Sequence, residues 1–213
     1  MNCCKEWMPL YGVTDRAWLG DMTLAQQAEA ALKGGVTCLQ LREKELDRDA
    51  FLQEARNLKK LCDRYGVPLI VNDDVKIAIQ SDADGVHIGQ QDEDAALVRL
   101  MIGPEKILGV SAQTVEQAVK AEAEGADYLG VGAVFYTGTK PDAEAVSLET
   151  LRDICRSVSI PVVAIGGISR ETLPLLEGSG VSGVAVVSAI FAAKDIEGAA
   201  RALREQVQEV CGV

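Results

Sequence analysis

Histidine and aromatic residues are scarce in this sequence. The 213 residues include one histidine, and phenylalanine, tryptophan and tyrosine together make up 4%. One histidine excludes a metal site built from several imidazoles, and the shortage of aromatic rings argues against recognition of nucleic acid by base stacking. The formal net charge of −11 disfavours nucleic acid and anionic membrane surfaces, because both are negatively charged. Small phosphorylated molecules remain candidate ligands, since they respond to a local cluster of cations more than to the total charge.

Membrane-spanning and cysteine-based features are also missing from the sequence. No apolar run approaches the roughly 20 residues that a membrane span requires. The amino-terminal residues MNCCKEWMP lack the apolar stretch of a secretion signal. The six cysteines contain no CxxC pair, so free thiols in a reducing compartment are predicted. Together these features predict a cytoplasmic protein.

Short β-branched segments alternate with longer amphipathic segments along the whole chain. This alternation is typical of βα units and of a parallel sheet. The predicted strands are residues 10–13, 37–41, 69–71, 85–88, 107–110, 128–131, 162–165 and 183–187. No linker or low-complexity tract divides the chain, which is 48% hydrophobic and can bury one sizeable core. We therefore predict a single (β/α)8 TIM barrel over residues 1–213, with a doubly wound open sheet as the alternative.

Residues with chemical capacity follow the predicted strands rather than precede them. In a barrel these positions meet at the carboxyl-terminal rim, where this fold builds its active sites. Each residue taken alone also fits a structural role, such as a solvated charge, a turn former or a helix cap. The set as a whole is harder to explain without a ligand, and it comprises Arg42, Lys44, Asn72, Asp73, Asp92, Ser111, Thr137, Thr139, Lys140, Gly167 and Ser188.

Two glycines and a serine are candidates for binding one phosphate group. Gly166 and Gly167 follow the seventh predicted strand, and Ser188 follows the eighth. Glycines allow backbone N–H groups to approach an anion, and a short helix beginning near Ala189 would direct its amino terminus toward it. A tight turn built on two glycines is the alternative interpretation.

Three cations and two carboxylates predict a second, larger anion site with a metal ion. Arg42, Lys44 and Lys140 supply positive charge. Asp73 and Asp92 supply two hard oxygen ligands, which leaves room around Mg²⁺ for water and substrate phosphate. Two anion sites with a metal between them indicate a transfer reaction in which pyrophosphate leaves.

The one histidine, His87, lies at the end of the fourth predicted strand. Without a second histidine it cannot belong to a histidine-based metal site. We expect it to pack or to form hydrogen bonds at the rim rather than to catalyse a reaction.

Seven short segments occur in one order along the chain. They are LQLREK (39–44), NDD (72–74), GVHIGQQD (85–92), GVS (109–111), GVGAVFYTGTK (130–140), VVAIGGI (162–168) and VAVVSAI (184–190). Together they resemble the thiamine-phosphate synthase family, and the similarity runs from Leu10 to Ile190. The resemblance implies a TIM barrel that joins 4-amino-5-hydroxymethyl-2-methylpyrimidine diphosphate to a thiazole phosphate, free or carboxylated, and releases pyrophosphate with Mg²⁺.

The resemblance also implies a role for each rim residue. The pyrimidine diphosphate would bind to Gln40, Arg42, Lys44, Asn72, Ser111 and Lys140. The thiazole phosphate would bind to Thr137, Thr139, Gly167, Val187 and Ser188, with Val187 acting through its backbone. Asp73 and Asp92 would hold Mg²⁺, and the catalytic groups would be Lys140, Arg42 and Ser111. The implied mechanism is dissociative: diphosphate leaves first, and the thiazole nitrogen captures the pyrimidine methylene cation.

Two other functions fit a barrel of this kind. A thiazole tautomerase relative carries a catalytic histidine two residues after the serine of the GxS motif, where this sequence has Gln113. A non-catalytic barrel that binds a phosphorylated ligand and regulates a partner would be expected to lose some metal or leaving-group residues, and none is missing. Release of pyrophosphate on mixing both substrates with Mg²⁺ would separate a transferase from these alternatives.

Overall fold

Eight parallel strands form a closed barrel in the computed structural model, which describes residues 5–136 and 145–212. The strands are β1 (Leu10–Val13), β2 (Cys38–Leu41), β3 (Leu69–Asn72), β4 (Gly85–Ile88), β5 (Ile107–Ala112), β6 (Tyr128–Val131), β7 (Val162–Ile165) and β8 (Gly183–Val186). Each strand pairs with the next along the chain, and β8 pairs with β1. The barrel prediction is confirmed, and the open sheet is excluded because closure leaves no sheet edge.

Helices alternate with the strands and follow the last one. They are α1 (Leu24–Lys33), α2 (Arg48–Tyr65), α3 (Val75–Gln80), α4 (Ala95–Ile102), α5 (Val115–Ala123), α6 (Leu148–Ser157), α7 (Ser188–Phe191) and α8 (Ile196–Cys211). Thr23 and Gln26 form a capping box at the start of α1, and the Asp47 side chain accepts from Ala50 N at the start of α2. Gly66 ends α2 with a φ of 65°, a conformation that glycine adopts readily. Within the described residues, no helix has the length and apolar character needed to cross a membrane.

Side chains alternate along each strand between the barrel interior and the layer of helices. Tyr11 of β1 belongs to the interior cluster, whereas Leu10 belongs to the outer cluster that the helices cover. Tyr128 and Leu129 of β6 divide in the same way. The interior cluster comprises Met8, Tyr11, Val13, Cys38, Ile70, Ile107, Tyr128, Val163 and Ala185. Because these side chains fill the barrel, a ligand site has to lie at its carboxyl-terminal rim.

The predicted strands 37–41, 69–71 and 183–187 differ by one residue from the observed β2, β3 and β8, and two further elements differ by more than that. Strand β5 continues past Val110 to Ala112, so Ser111 lies within the strand rather than after it. The sequence predicts a brief helix between β7 and β8, where the structure has a 3₁₀ segment, Leu173–Leu176. Pro174 lacks an N–H donor, and Gly178 follows in left-handed conformation, so the segment ends within about one turn.

Candidate active site

The carboxylate of Asp73 pairs with the ammonium group of Lys44 at the carboxyl-terminal rim. Asp73 Oδ2 accepts a hydrogen bond from Lys44 Nζ at 2.7 Å. The backbone of Asp73 has a φ of 65°, and its N–H donates to the carbonyl oxygen of His87 at 2.8 Å. This left-handed conformation is uncommon outside glycine, and backbone strain of this kind concentrates at functional sites. The turn after β3 thus places one predicted metal ligand against one predicted diphosphate-binding cation.

Asp92 brings a second carboxylate to the same place. Its Oδ2 accepts a hydrogen bond from Gly89 N at 2.7 Å, which folds the loop after β4. Partial desolvation of the carboxyl raises the pKa of Asp92, the Gly89 N–H opposes this effect, and the nearby carboxylate of Asp73 adds to the rise. A cation bound between the two carboxylates would remove their repulsion.

The donor set suits Mg²⁺ better than a metal that needs a full set of protein ligands. Over residues 5–136 and 145–212, no three histidine, cysteine, aspartate or glutamate side chains form a group that could hold a metal ion. Mg²⁺ commonly binds one or two carboxylates and takes its remaining ligands from water and substrate phosphates. The carboxylates of Asp73 and Asp92 therefore fit the predicted magnesium site.

Arg42 is anchored between the ends of β1 and β2. Its backbone N–H donates to Thr14 Oγ1 at 3.1 Å, and its guanidinium Nη1 lies 3.3 Å from Asp15 Oδ2. Thr14 is fully buried, and its own N–H donates to the carbonyl oxygen of Gln40 at 3.0 Å. Within the part of the chain that the structure describes, the other guanidinium N–H groups of Arg42 have no protein partner. They remain available for an anion at the rim.

Glu43, the acidic residue of the segment LQLREK (39–44), is a positioning group that sequence reasoning missed. Its side chain is only 2% exposed. Oε1 accepts hydrogen bonds from the N–H groups of Lys44, Glu45 and Leu46 at 2.8, 2.9 and 3.4 Å. Oε2 accepts from Arg16 Nε at 2.5 Å. The Glu43 carboxylate therefore holds the loop that carries the two predicted anion-binding cations.

The environment of Glu43 favours its ionised form. Burial by itself would raise the pKa of Glu43, but the Glu45 N–H, the Arg16 guanidinium and the Lys44 N–H outweigh burial and lower the pKa. Arg16 also bonds Glu54 Oε2 through Nη2 at 2.8 Å, which ties the loop to α2. A carboxylate placed between two anion-binding cations has to turn away from the anion. The position of Glu43 between Arg42 and Lys44 was therefore the sequence signal for its inward orientation.

A chain of hydrogen bonds crosses the barrel interior from Gln40 to Ser111. Gln40 Nε2 donates to Tyr11 Oη at 3.0 Å, and Tyr11 Oη lies 2.7 Å from Tyr128 Oη. His87 Nδ1 lies 2.9 Å from Tyr128 Oη, and His87 Nε2 lies 2.9 Å from Ser111 Oγ. We call these five residues the interior chain. It confirms the expected hydrogen bonding of His87 and links Gln40 to Ser111, two of the residues that the resemblance assigns to the pyrimidine diphosphate.

Sequence reasoning missed the two tyrosines of the interior chain. The available signal was the alternation of side chains along a strand, since Tyr11 and Tyr128 each lie next to a leucine that faces the helices. A phenol that faces the interior of a barrel needs a hydrogen-bond partner there.

The loop after β7 contains two glycines in left-handed conformation. Gly166 has a φ of 96° and Gly167 has a φ of 64°. A Cβ atom on Gly167 would lie 2.4 Å from the carbonyl oxygen of Tyr136, so a larger residue does not fit. Directly after the neighbouring strand β8, Val187 is the N-cap residue of α7, which begins at Ser188. The described residues of the predicted thiazole phosphate site thus lie at the ends of β7 and β8.

The remaining predicted residues divide between the described and undescribed parts of the chain. Asn72 ends β3 and pairs in register with His87 of β4. Thr137, Thr139 and Lys140 lie outside the described residues. Their roles at the site therefore stay predictions.

Comparison with known proteins identifies the family. The family model described as "Thiamine monophosphate synthase" matches residues 10–190. The thiamine-phosphate synthase of Ruminiclostridium cellulolyticum is 54% identical over 196 residues, which is 92% of this chain and 93% of that protein. The solved structure of thiamine phosphate pyrophosphorylase from Pyrococcus furiosus has a TM-score of 0.89 and 38% identity, with 97% of this chain and 98% of that chain covered. The barrel described above therefore belongs to the thiamine monophosphate synthase family.

Proposed function

We propose that this barrel condenses 4-amino-5-hydroxymethyl-2-methylpyrimidine diphosphate with thiazole phosphate, or its carboxylated form, to give thiamine phosphate and pyrophosphate. The 54% identity to a thiamine-phosphate synthase over 92% of the chain supports this transferase activity. The structural observation that carries the proposal is the meeting of Lys44, Asp73 and Asp92 at the rim. One cation beside two carboxylates suits a diphosphate that is bound together with a divalent ion.

The first chemical step is departure of the diphosphate. The bond between the pyrimidine methylene carbon and the diphosphate oxygen breaks, and its electron pair stays on the oxygen. Arg42, Lys44 and Lys140 stabilise this developing charge, and fixed cations of this kind act most strongly in the transition state. Asp73 and Asp92 would hold Mg²⁺, which when bound would supply further neutralisation of the diphosphate.

The second step joins the two rings. The thiazole nitrogen donates its electron pair to the methylene cation, and the new C–N bond completes thiamine phosphate. Gln40, Asn72 and Ser111, which bind the pyrimidine diphosphate before the first step, hold the pyrimidine methylene cation during this step. The thiazole phosphate binds to Thr137, Thr139, Gly167, Val187 and Ser188. Left-handed backbone at Gly166 and Gly167 supports this assignment, because glycine allows close approach of N–H groups to a phosphate.

We place this reaction in the cytoplasm, with small phosphorylated molecules as partners. The net charge of −11 disfavours binding to nucleic acid or to anionic membranes. Free cysteines and the soluble substrates of the reaction agree with this location.

Release of pyrophosphate on mixing the two substrates with Mg²⁺ tests the function. We expect product only when both substrates and Mg²⁺ are present, and none after addition of a chelator. Lys140→Ala should lower kcat by about 100-fold, because it removes one preorganised cation from the leaving group. The affinity for thiazole phosphate should change by less than about threefold. Lys76→Ala, at an exposed position of α3, is the matched control.

Two outcomes would contradict the proposal. Binding of either substrate without release of pyrophosphate would favour a non-catalytic barrel. Isomerisation of the carboxylated thiazole phosphate without formation of thiamine phosphate would favour a tautomerase.

A further inference from the structure

The interior chain has a direction. Gln40 Nε2 donates to Tyr11 Oη, and a chain of hydrogen bonds that continues from this donor directs the phenol proton of Tyr11 to Tyr128 Oη at 2.7 Å. In the same direction the phenol proton of Tyr128 is directed to His87 Nδ1, which lies 2.9 Å from Tyr128 Oη. An imidazole that accepts at Nδ1 carries its proton on Nε2, and His87 Nε2 then donates to Ser111 Oγ at 2.9 Å.

Each link of the interior chain determines the next. Tyr11 is 1% exposed and Tyr128 is fully buried. Burial raises the pKa of Tyr11 well above its ordinary value, and the neighbouring phenol of Tyr128 adds to the rise, so Tyr11 stays a protonated donor. A phenol has one proton to donate, and a neutral imidazole has one as well. A chain that runs in one direction through these links connects the orientation of the Gln40 amide to the hydrogen bonding of Ser111.

The barrel interior is shaped to accommodate this chain. A Cβ atom on Gly109 of β5 would lie 2.2 Å from Tyr128 Cζ and 2.5 Å from His87 Nδ1. A Cβ atom on Gly130 of β6 would lie 3.0 Å from His87 Cε1. Glycine inside a strand weakens it and often marks a place where another group approaches closely. Two strands therefore leave space for the rings of Tyr128 and His87.

We propose that three interior side chains, Tyr11, Tyr128 and His87, are positioning residues that set which pyrimidine-binding groups donate and which accept. This inference rests on the proposed function. With Nε2 held by Tyr11, Gln40 presents Oε1 as an acceptor beside its second amide N–H. Because Ser111 accepts from His87, it presents its hydroxyl proton as a donor. Within the described residues, no other protein hydrogen bond uses these groups of Gln40 and Ser111.

The direction of the hydrogen bonds in the interior chain matches the donor and acceptor of an aminopyrimidine. Its edge offers an amine donor beside a ring-nitrogen acceptor, which complements the acceptor and donor of the Gln40 amide. A 4-oxo pyrimidine reverses this edge, because a ring N–H then stands beside a carbonyl oxygen. To bind the 4-oxo ring, Gln40 would have to turn its amide over, and every hydrogen bond of the interior chain would have to reverse. The interior chain thus accounts for selection of the amino ring against the oxo ring.

The tautomer of His87 tests the direction of the hydrogen bonds in the interior chain without any substrate. The sequence contains one histidine, so a protein labelled with ¹⁵N in histidine gives one pair of ring-nitrogen signals. For the neutral ring we expect a protonated Nε2 and an unprotonated, hydrogen-bonded Nδ1. Tyr128→Phe removes the donor to Nδ1 and should shift its signal. A proton on Nδ1 of the wild-type protein would overturn the proposal.

The matched control lies outside the barrel interior. Tyr65 donates its hydroxyl to Glu29 Oε1 at 3.1 Å, away from the interior chain. Tyr65→Phe should therefore leave both ring-nitrogen signals of His87 unchanged. A shift as large as that of Tyr128→Phe would show that the signals report general packing, and would overturn the link from Tyr128 to His87.

Selectivity between two pyrimidine diphosphates tests the function of the chain. Calorimetry on the wild-type protein should show at least about 30-fold tighter binding of the 4-amino compound than of its 4-oxo analogue. In Tyr11→Phe the Gln40 amide is free to turn over, so this ratio should fall by about tenfold or more. Tyr128→Phe interrupts the chain one link further on and should lower the ratio as well. Tyr65→Phe should keep the wild-type ratio.

The outcomes separate this inference from the proposed function. An unchanged ratio in a folded Tyr11→Phe or Tyr128→Phe protein would overturn the positioning role, even if the enzyme makes thiamine phosphate. Binding of neither compound to the wild-type protein would overturn the proposed function and the ligand named here. The tautomer of His87 would still decide the polarity of the chain in that case.

Discussion

Glu43 Oε2 lies 2.5 Å from Arg16 Nε, beneath the loop that carries two cations of the candidate site. The carboxylate is almost fully buried, and its other oxygen accepts three backbone N–H groups of the same loop. Arg42 and Lys44 flank Glu43 in sequence, so their backbone positions depend on this carboxylate. The pair therefore orders the loop that carries these two predicted anion-binding cations.

Glu43→Gln should weaken binding of the pyrimidine diphosphate more than it slows the reaction. Glutamine keeps the shape of the side chain but replaces one carboxylate oxygen with a donor, which cannot accept from the backbone or from Arg16. We expect KM for the pyrimidine diphosphate to rise by about tenfold, a change of about 1.4 kcal/mol. Glu45→Gln, at the exposed neighbouring position, is the control. Steady-state kinetics with equal KM values in both variants would argue against a positioning role.

Acid unfolding should also depend on Glu43. Its pKa in the folded protein is below its ordinary value of 4.5, so the ionised carboxylate stabilises the fold above that pH. This stabilisation is lost as the pH falls through the lower, folded-state pKa. Wild-type protein should therefore lose more stability than Glu43→Gln between neutral pH and pH values below 4.5. Parallel loss of stability in both proteins during denaturant titrations would count against this expectation.

Asp92→Asn should stabilise the metal-free protein and remove its response to Mg²⁺. A raised pKa means that the ionised carboxylate of Asp92 is disfavoured in the fold, chiefly by partial desolvation and then by Asp73, and asparagine removes that charge. Because the site is partly exposed, we expect a rise in Tm of only about 1–3 °C. Glu93→Gln, at the exposed neighbouring position, is the control. Thermal unfolding of the wild-type protein that is identical with and without Mg²⁺ would contradict the metal site.

Gly167→Ala should weaken the binding of thiazole phosphate, whereas Gly178→Ala should only lower the stability of the fold. Both glycines are left-handed, with φ values of 64° and 69°, but a Cβ atom on Gly178 would meet nothing within 4 Å. Gly178→Ala should therefore cost only the backbone strain, about 1–2 kcal/mol. Gly167→Ala adds a clash with Tyr136 and should weaken thiazole phosphate binding by at least about tenfold. Calorimetry should show unchanged binding of the pyrimidine diphosphate, and an equal loss of both ligands would refute the division into two sites.

The barrel and much of the candidate site could be predicted because local patterns determine them. Alternating strand and helix segments identify the eight βα units, and placement after a strand identifies Lys44, Asp73 and Asp92 as rim residues. The 3₁₀ segment before β8 was less predictable, since its apolar pattern resembles a short helix and Pro174 limits its length.

The interior chain could not be predicted from local patterns. Tyr11 and Tyr128 are 117 residues apart in sequence, and their hydrogen bond exists only because the barrel closes. The inward turn of Glu43 depends likewise on Arg16, which is 27 residues away. Sequence identifies which residues can form hydrogen bonds, but closure of the sheet decides which of them meet.

The glycines that make room for the interior chain limit how this barrel can be recombined with its relatives. Tyr11 and His87 lie in the first four strands, whereas Tyr128, Gly109 and Gly130 lie in the last four. A chimera that joins the first half of this barrel to the second half of another would separate the ring of His87 from the two glycines that make space for it. An alanine in place of Gly109 would then meet the imidazole of His87 in the centre of the sheet. Exchange of half-barrels should therefore succeed only between parents that share both the histidine and the two glycines.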